Sequence, residues 1–363
     1  MTFLLDLTDD QKMILETLDR AARELGDFDS RRRRLRADPP DRMALWSDVA
    51  DLGALGLCHS EDMGGLGGAP RDMAVLAAGL AAALPVEPFL SVGVTAARLI
   101  EASGDTALAE ALVSGGAVVV PALTETADPF APVRCAATRA GDDWLLSGQK
   151  PAVRHADVAT HLLVAARAED GTLGVFLCPA DARGLTRQPF RLVDDAGAAD
   201  LAFEDTPATC LISGADAAVD EALDWTIAAL CVETAAICQA VNTATFAYMH
   251  ERKQFGMALS RFQALQFKAA DMQVAATEAA AAADLAIQAL ERTDPADRRR
   301  EVITASLAAD RNGRMVTHSA VQLHGGMGVS DELSISHYAR RAAAIRAQVG
   351  ITEARAAQLD PVA

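Results

Sequence analysis

From residue 214 onward the chain carries four successive stretches with apolar residues at helical spacing, at about 214–252, 260–291, 297–323 and 331–348. Helices of such length, joined by connections of a few residues, run antiparallel and bury their apolar stripes in a shared core, so the pattern predicts a four-helix bundle. Alanine dominates these stretches and aromatics are only 4% of the chain, a composition that favours close-packed helices. Ser213 or Asp216 offers the oxygen that caps the first helix.

Upstream the character changes. Short runs such as AVVVPALT, DWLLSGQK, HLLVAAR and LGVFLC are punctuated by Gly, Asp and Pro. They read as the strands of a small β-barrel or sandwich over about 117–212. Residues before that return to helical spacing, beginning at Thr8, where Gln11 three positions on suggests a capping box. Further helical stretches lie at 41–55, 70–84 and 88–103. The Gly-rich MGGLGGAP at 63–70 lacks the G-K-[ST] of a phosphate loop and reads as a tight turn where backbones approach closely. The expected fold is mainly α with a central β domain: an N-terminal helical domain (1–116), a small β-barrel (117–212) and a C-terminal helical bundle (213–363).

The balance of 33 basic against 50 acidic residues, net −17, argues against a partner with a phosphate backbone. The run Arg31 to Arg34 is the local exception and reads as a solvated helix face or loop. Six cysteines without paired spacing imply a reducing compartment and no metal cluster. The N-terminus has no positive n-region, and the Ala-rich segment 276–290 is broken by Glu278, Asp284 and Gln288. Hence neither a leader nor a membrane span is expected, and a cytoplasmic location is.

Two segments carry chemistry. In ERKQFGMALSRFQ (251–263), Phe255 and Gly256 interrupt a helix just after Arg252, and the amides of the restarting helix plus that Arg suit an anion. A plain helix–helix corner would use the same residues. In VQLHGGMG (321–328), Gly325 and Gly326 allow a flat ligand or a backbone to approach, or simply cap a helix. Taken together, R-K-Q-F-G with F-Q and then Q-L-H-G-G-M-G resemble the two C-terminal signatures of the acyl-CoA dehydrogenase flavoprotein family in type, order and separation. Leu55-Gly56-Leu57, Met63 to Gly67, Ala122 to Glu125 and Phe203-Glu204-Asp205 with Pro207 extend the resemblance over nearly the whole chain.

The resemblance implies FAD as cofactor and an acyl-CoA as substrate. It implies that Arg252, Gln254, Phe255, Gln263, Gln322, Gly325 and Gly326 grip the diphosphate–adenosine end of a FAD whose ring sits in a neighbouring subunit. Leu123 and Thr124 remain as contacts to a flavin ring. Counting without a gap from His324, Val349 occupies the place of the family's usual catalytic Glu, and Val accepts no proton. An alternative base position on the first bundle helix falls on Thr226. Asp224 points to the other side of that helix, and Glu233 lies two turns further on; neither is assigned, so no catalytic residue is. The ring side departs as well. Thr126 to Phe130 replace the usual Pro and Gly-Ser loop, and Ala152 and Arg154 stand where a Trp and a small hydroxyl residue are usual. The chain resembles the non-catalytic subunit of the heteromeric members found in bacterial steroid side-chain degradation. That implies a second subunit carrying the missing Glu, with an electron-transfer flavoprotein as acceptor. A homomeric dehydrogenase with an unidentified base and a non-redox scaffold are the alternatives.

Overall fold

The computed structural model describes residues 7–25, 27–141, 143–350, 352–357 and 359. The N-terminal apolar residues 1–6, on which the expectation of no leader rests, lie outside them. The chain forms two compact units, one of residues 1–23, 77–84 and 227–363, the other of 24–76 and 85–226.

The second unit holds the N-terminal helices and the barrel. Its helices are α2 (Phe28–Leu35), α3 (Trp46–Asp51), part of α4 (Pro70–Ala81), α5 (Ala97–Ser103) and α6 (Thr106–Val113). The helical stretch expected at 88–103 is there, but Ser91–Ala96 is a turn of π-helix, a widening that apolar spacing does not reveal. A Cβ at Gly65 would collide with the His59 and Gly56 carbonyls, which explains this glycine of MGGLGGAP as a close backbone approach.

Seven strands follow: β1 (Val119–Ala122), β2 (Ala136–Ala140), β3 (Asp143–Arg154), β4 (His161–Ala168), β5 (Leu173–Pro179), β6 (Leu185–Arg191) and β7 (Gly197–Ser213). They pair in the order β1-β4-β2-β3-β7-β5, and a further antiparallel β4–β5 pairing, with Val164 opposite Phe176, closes the ring into a barrel. Closure leaves the five ring strands no free edge. The 17-residue β7 makes this work by pairing with β3 on one side and with β6 and then β5 on the other.

The first unit is the bundle: the continuation of α7 (Asp216–Glu251), then α8 (Gln263–Ala289), α9 (Pro295–His324) and α10 (Ser334–Gln348), close to the four expected spans. α1 (Asp9–Leu25) adds its first turns here, and its start is the expected capping box. The Gln11 amide donates to Thr8 Oγ1 at 3.2 Å and the Thr8 amide to Gln11 Oε1 at 3.1 Å. α7 is long and apolar enough to cross a bilayer, but 78% of its most apolar window is buried, so its apolar character serves the core. All six cysteines are free thiols, and burial pushes Cys58, Cys231 and Cys238 up to about 12, as inert apolar side chains.

One expectation needs correction. Arg31 is not solvated: it is buried, and its guanidinium donates to the Asp194 carbonyl and lies 3.8 Å from the Asp195 carboxylate. A long-range ionic contact of this kind leaves no trace in local composition. The chain also continues past Gly350 as α11 (Thr352–Ala357), which carries a fully buried Arg355 to the Ser306 carbonyl (3.0 Å) and Asp310 (2.8 Å).

Candidate functional site

In the bundle, α7 ends one turn beyond Tyr248, and the chain makes a two-stranded hairpin, β8 (Lys253–Gln254) and β9 (Met257–Ala258). Its two turn residues, Phe255 (φ +51°) and Gly256 (φ +83°), are both left-handed, as a tight two-residue hairpin requires. Gly does this freely; a bulky Phe does not, and this one is 90% exposed. Strain held by an exposed aromatic side chain is a mark of a surface that meets something. The Phe255 ring stands edge-on to Phe262, whose centroid is 6.3 Å away and which precedes Gln263 at the start of α8. No side chain caps that helix start, so its first amides remain available. The sequence had read this stretch as a helix break; the structure makes it a hairpin.

The other segment reaches the same end of the bundle. His324, the last residue of α9, stacks on Tyr248 with ring centroids 4.2 Å apart, and burial holds its imidazole below its usual pKa against the pull of the Ala320 carbonyl. This stack, which the sequence reading missed, joins the α7 hairpin to the turn Gly325–Val329. Arg252, Gln254, Phe255, Gln263, Gln322, Gly325 and Gly326 are all exposed there. A Cβ at Gly325 or Gly326 would meet nothing within 4 Å. Among the described residues no side chain pairs with the Arg252 guanidinium. These residues fit an anionic, flat-ended ligand such as the adenosine diphosphate end of FAD: a free cation, uncapped amides and open glycines.

Leu123 and Thr124 belong to the other compact unit, just after β1. Leu123 is buried, and its carbonyl accepts from Lys150 Nζ at 3.4 Å. Lys150, with no exposed surface, also donates to Glu125 at 2.8 Å, and the amides of Arg134 and Cys135 donate to the same carboxylate. Burial alone would raise Glu125, but these donors outweigh it and hold it below the usual carboxylate range. Glu125 thus staples the loop to β3. The residue where a small hydroxyl was expected, Arg154, makes a two-pronged ion pair with Asp194, at 2.6 and 3.2 Å. Asp194 itself is buried. Lys150 and Arg154 are thus charge-matched by the chain itself, while Ala152 and Thr126 beside them are exposed.

Neither candidate base position carries a carboxylate. Val349, 3% exposed, lines a crevice of about 20 Å³ with Leu230, Cys231, Ala309 and Ile345, room for roughly one water. Gly350 (φ +87°) turns the chain away after α10. Thr226 shares a 2.7 Å hydroxyl contact with Thr95 in the π-helical turn and donates to the Ala222 carbonyl at 2.6 Å. Glu233 is committed to a buried, two-pronged ion pair with Arg341, at 2.6 and 2.7 Å. Among the described residues no group of three His, Cys, Asp or Glu could hold a metal.

Family comparison agrees with the fold. The family model for the acyl-CoA dehydrogenase N-terminal domain matches residues 8–116, and that for the C-terminal domain matches 213–360. Benzylmalonyl-CoA dehydrogenase from Aromatoleum aromaticum is 29% identical over 295 residues, covering 74% of this chain and 75% of that one. Among solved structures, a steroid ACAD variant superposes with a TM-score of 0.88 at 28% identity, over 97% of this chain and 96% of its own. The ChsE4–ChsE5 complex from Mycobacterium tuberculosis superposes with a TM-score of 0.86 at 21% identity, over 99% and 97%, which speaks to the fold alone.

Proposed function

This chain belongs to the acyl-CoA dehydrogenase family, whose members bind FAD, and from that premise we propose that it is the non-catalytic subunit of a heteromeric acyl-CoA dehydrogenase. It would grip the diphosphate–adenosine end of a cofactor whose ring and whose catalytic Glu belong to a second, homologous subunit. One observation carries the proposal: the Arg252 end of the bundle is exposed and unmatched, while the positions for base and ring hold a buried Val349 and an Arg154–Asp194 pair. Arg252 would neutralise the diphosphate, the amides opening α8 would add donors, and Gly325 and Gly326 would let the backbone approach. When bound, FAD would accept the hydride that leaves the β-carbon of the acyl thioester. Within this chain the described residues offer no carboxylate at either base position to take the α-proton.

A steroid side-chain thioester is the acyl group we favour, supported by the likeness to a steroid ACAD at 28% identity. An electron-transfer flavoprotein as acceptor, a heterotetrameric assembly and a cytoplasmic location complete the proposal. The domain division 1–116, 117–212 and 213–363 is supported by the family matches at 8–116 and 213–360. The test is reconstitution with a homologous subunit that carries the Glu, assaying acyl-CoA oxidation with an artificial acceptor. Turnover should appear only in the mixture, and Val349→Glu alone should remain inactive because the ring-side residues at 126–130, 152 and 154 stay replaced. Robust turnover by either the unmodified chain or that variant alone would contradict the proposal.

A further inference from the structure

We infer a second ligand site on the C-terminal bundle: an open groove that binds a small molecule bearing phosphate groups. The groove encloses about 600 Å³, within the range of small-molecule sites. One face of α9 lines it, with Leu307, Arg311, Arg314, Met315 and His318 recurring three and four residues apart, and Arg346 of α10 stands opposite.

Three arginines and a histidine thus converge in a chain whose net charge is −17. The single acid of the lining, Asp310, does not cancel them. Its carboxylate is taken from below by the fully buried Arg355 at 2.8 Å, with Arg346 at 3.6 Å. Arg311 pairs with Glu278 at 2.8 Å, but both side chains are at least half exposed, and such a pair contributes little and exchanges readily. Arg314 is exposed, and its guanidinium has no hydrogen bond or ion pair among the described residues. The planar guanidinium fork matches phosphate or carboxylate oxygens two at a time, and several such forks around one groove suit the higher charge and the additional oxygens of a phosphate. Leu307 and Met315 add an apolar strip for the organic part of the ligand. None of these residues belongs to the Arg252 group, so the failure of either assignment leaves the other standing.

The experiment is calorimetric titration of the full chain with inorganic pyrophosphate and with ADP, and sedimentation with vesicles of anionic phospholipid. Saturable one-to-one binding of a soluble ligand is expected, weakened about tenfold or more in Arg314→Ala, the loss that one charge-assisted contact implies. Arg314→Lys should retain part of the affinity. Arg292→Ala, which removes an exposed arginine outside the groove, should change nothing, and unchanged circular dichroism of each variant shows that the fold persists. Three results would overturn the inference: no saturation by either soluble ligand, equal loss in the Arg292 and Arg314 variants, or binding to vesicles alone.

Discussion

The hairpin end of the bundle and the β3 side of the barrel treat charge in opposite ways. Around Arg252 the polar groups are exposed, the helix start is uncapped, and a Phe is held in left-handed geometry with its ring in solvent. Arg154 and Lys150 each have a carboxylate partner, Asp194 and Glu125, and both Asp194 and Lys150 are buried. Buried charge is costly unless matched, whereas exposed charge is cheap to leave unmatched. The first region therefore leaves its polar groups open, and the second matches its charges within the chain.

The largest expected effect breaks the self-matched side. Asp194→Ala removes the partner of Arg154 and should cost about 3–5 kcal/mol, read as a shift in the denaturant midpoint of the isolated chain. A loss under roughly 0.5 kcal/mol, typical of surface changes, would show that the pair does not hold the barrel. Arg252→Ala makes the opposite test. It should leave the midpoint of the isolated chain unchanged and reduce FAD retention in the co-expressed complex by about ten- to a hundredfold, since a charge-assisted hydrogen bond contributes about 1.5–3 kcal/mol. Lost stability with undiminished flavin would make Arg252 a mere brace of the helix corner.

Asp284 sharpens the contrast, because it is buried in the bundle and its Oδ1 has no partner among the described residues. Burial raises its carboxyl to about 6 from an ordinary 3.8. The folded chain then holds a proton that the unfolded chain has lost between those values. Stability from this group falls as pH rises from about 4 to 6 and stays low above that. Asp284→Asn should stabilise the chain at pH 7 by roughly 1–2 kcal/mol and flatten that part of the pH profile. An unchanged profile would mean that Asp284 finds solvent or a partner.

Much of this was legible in the sequence because it is local or periodic. The four bundle helices follow from spacing, and the Thr8–Gln11 cap from two residues three apart. What was illegible depends on residues far apart in the chain. Closure of the barrel needs the β4–β5 pairing, Arg31 finds Asp195 across 164 positions, and the Tyr248–His324 stack joins two motifs that look independent in one dimension. The replacement of ring-side residues at 152 and 154 was visible, but not that Asp194 neutralises Arg154.

The central claim is that the gripping half-site is present and the ring half-site is not. The most direct measurement is the flavin absorbance-to-protein ratio of the chain purified alone and together with a homologous subunit that carries the catalytic Glu. The expected result is little or no flavin in the isolated chain and about one FAD per pair in the complex. A yellow homomer with stoichiometric FAD would contradict it.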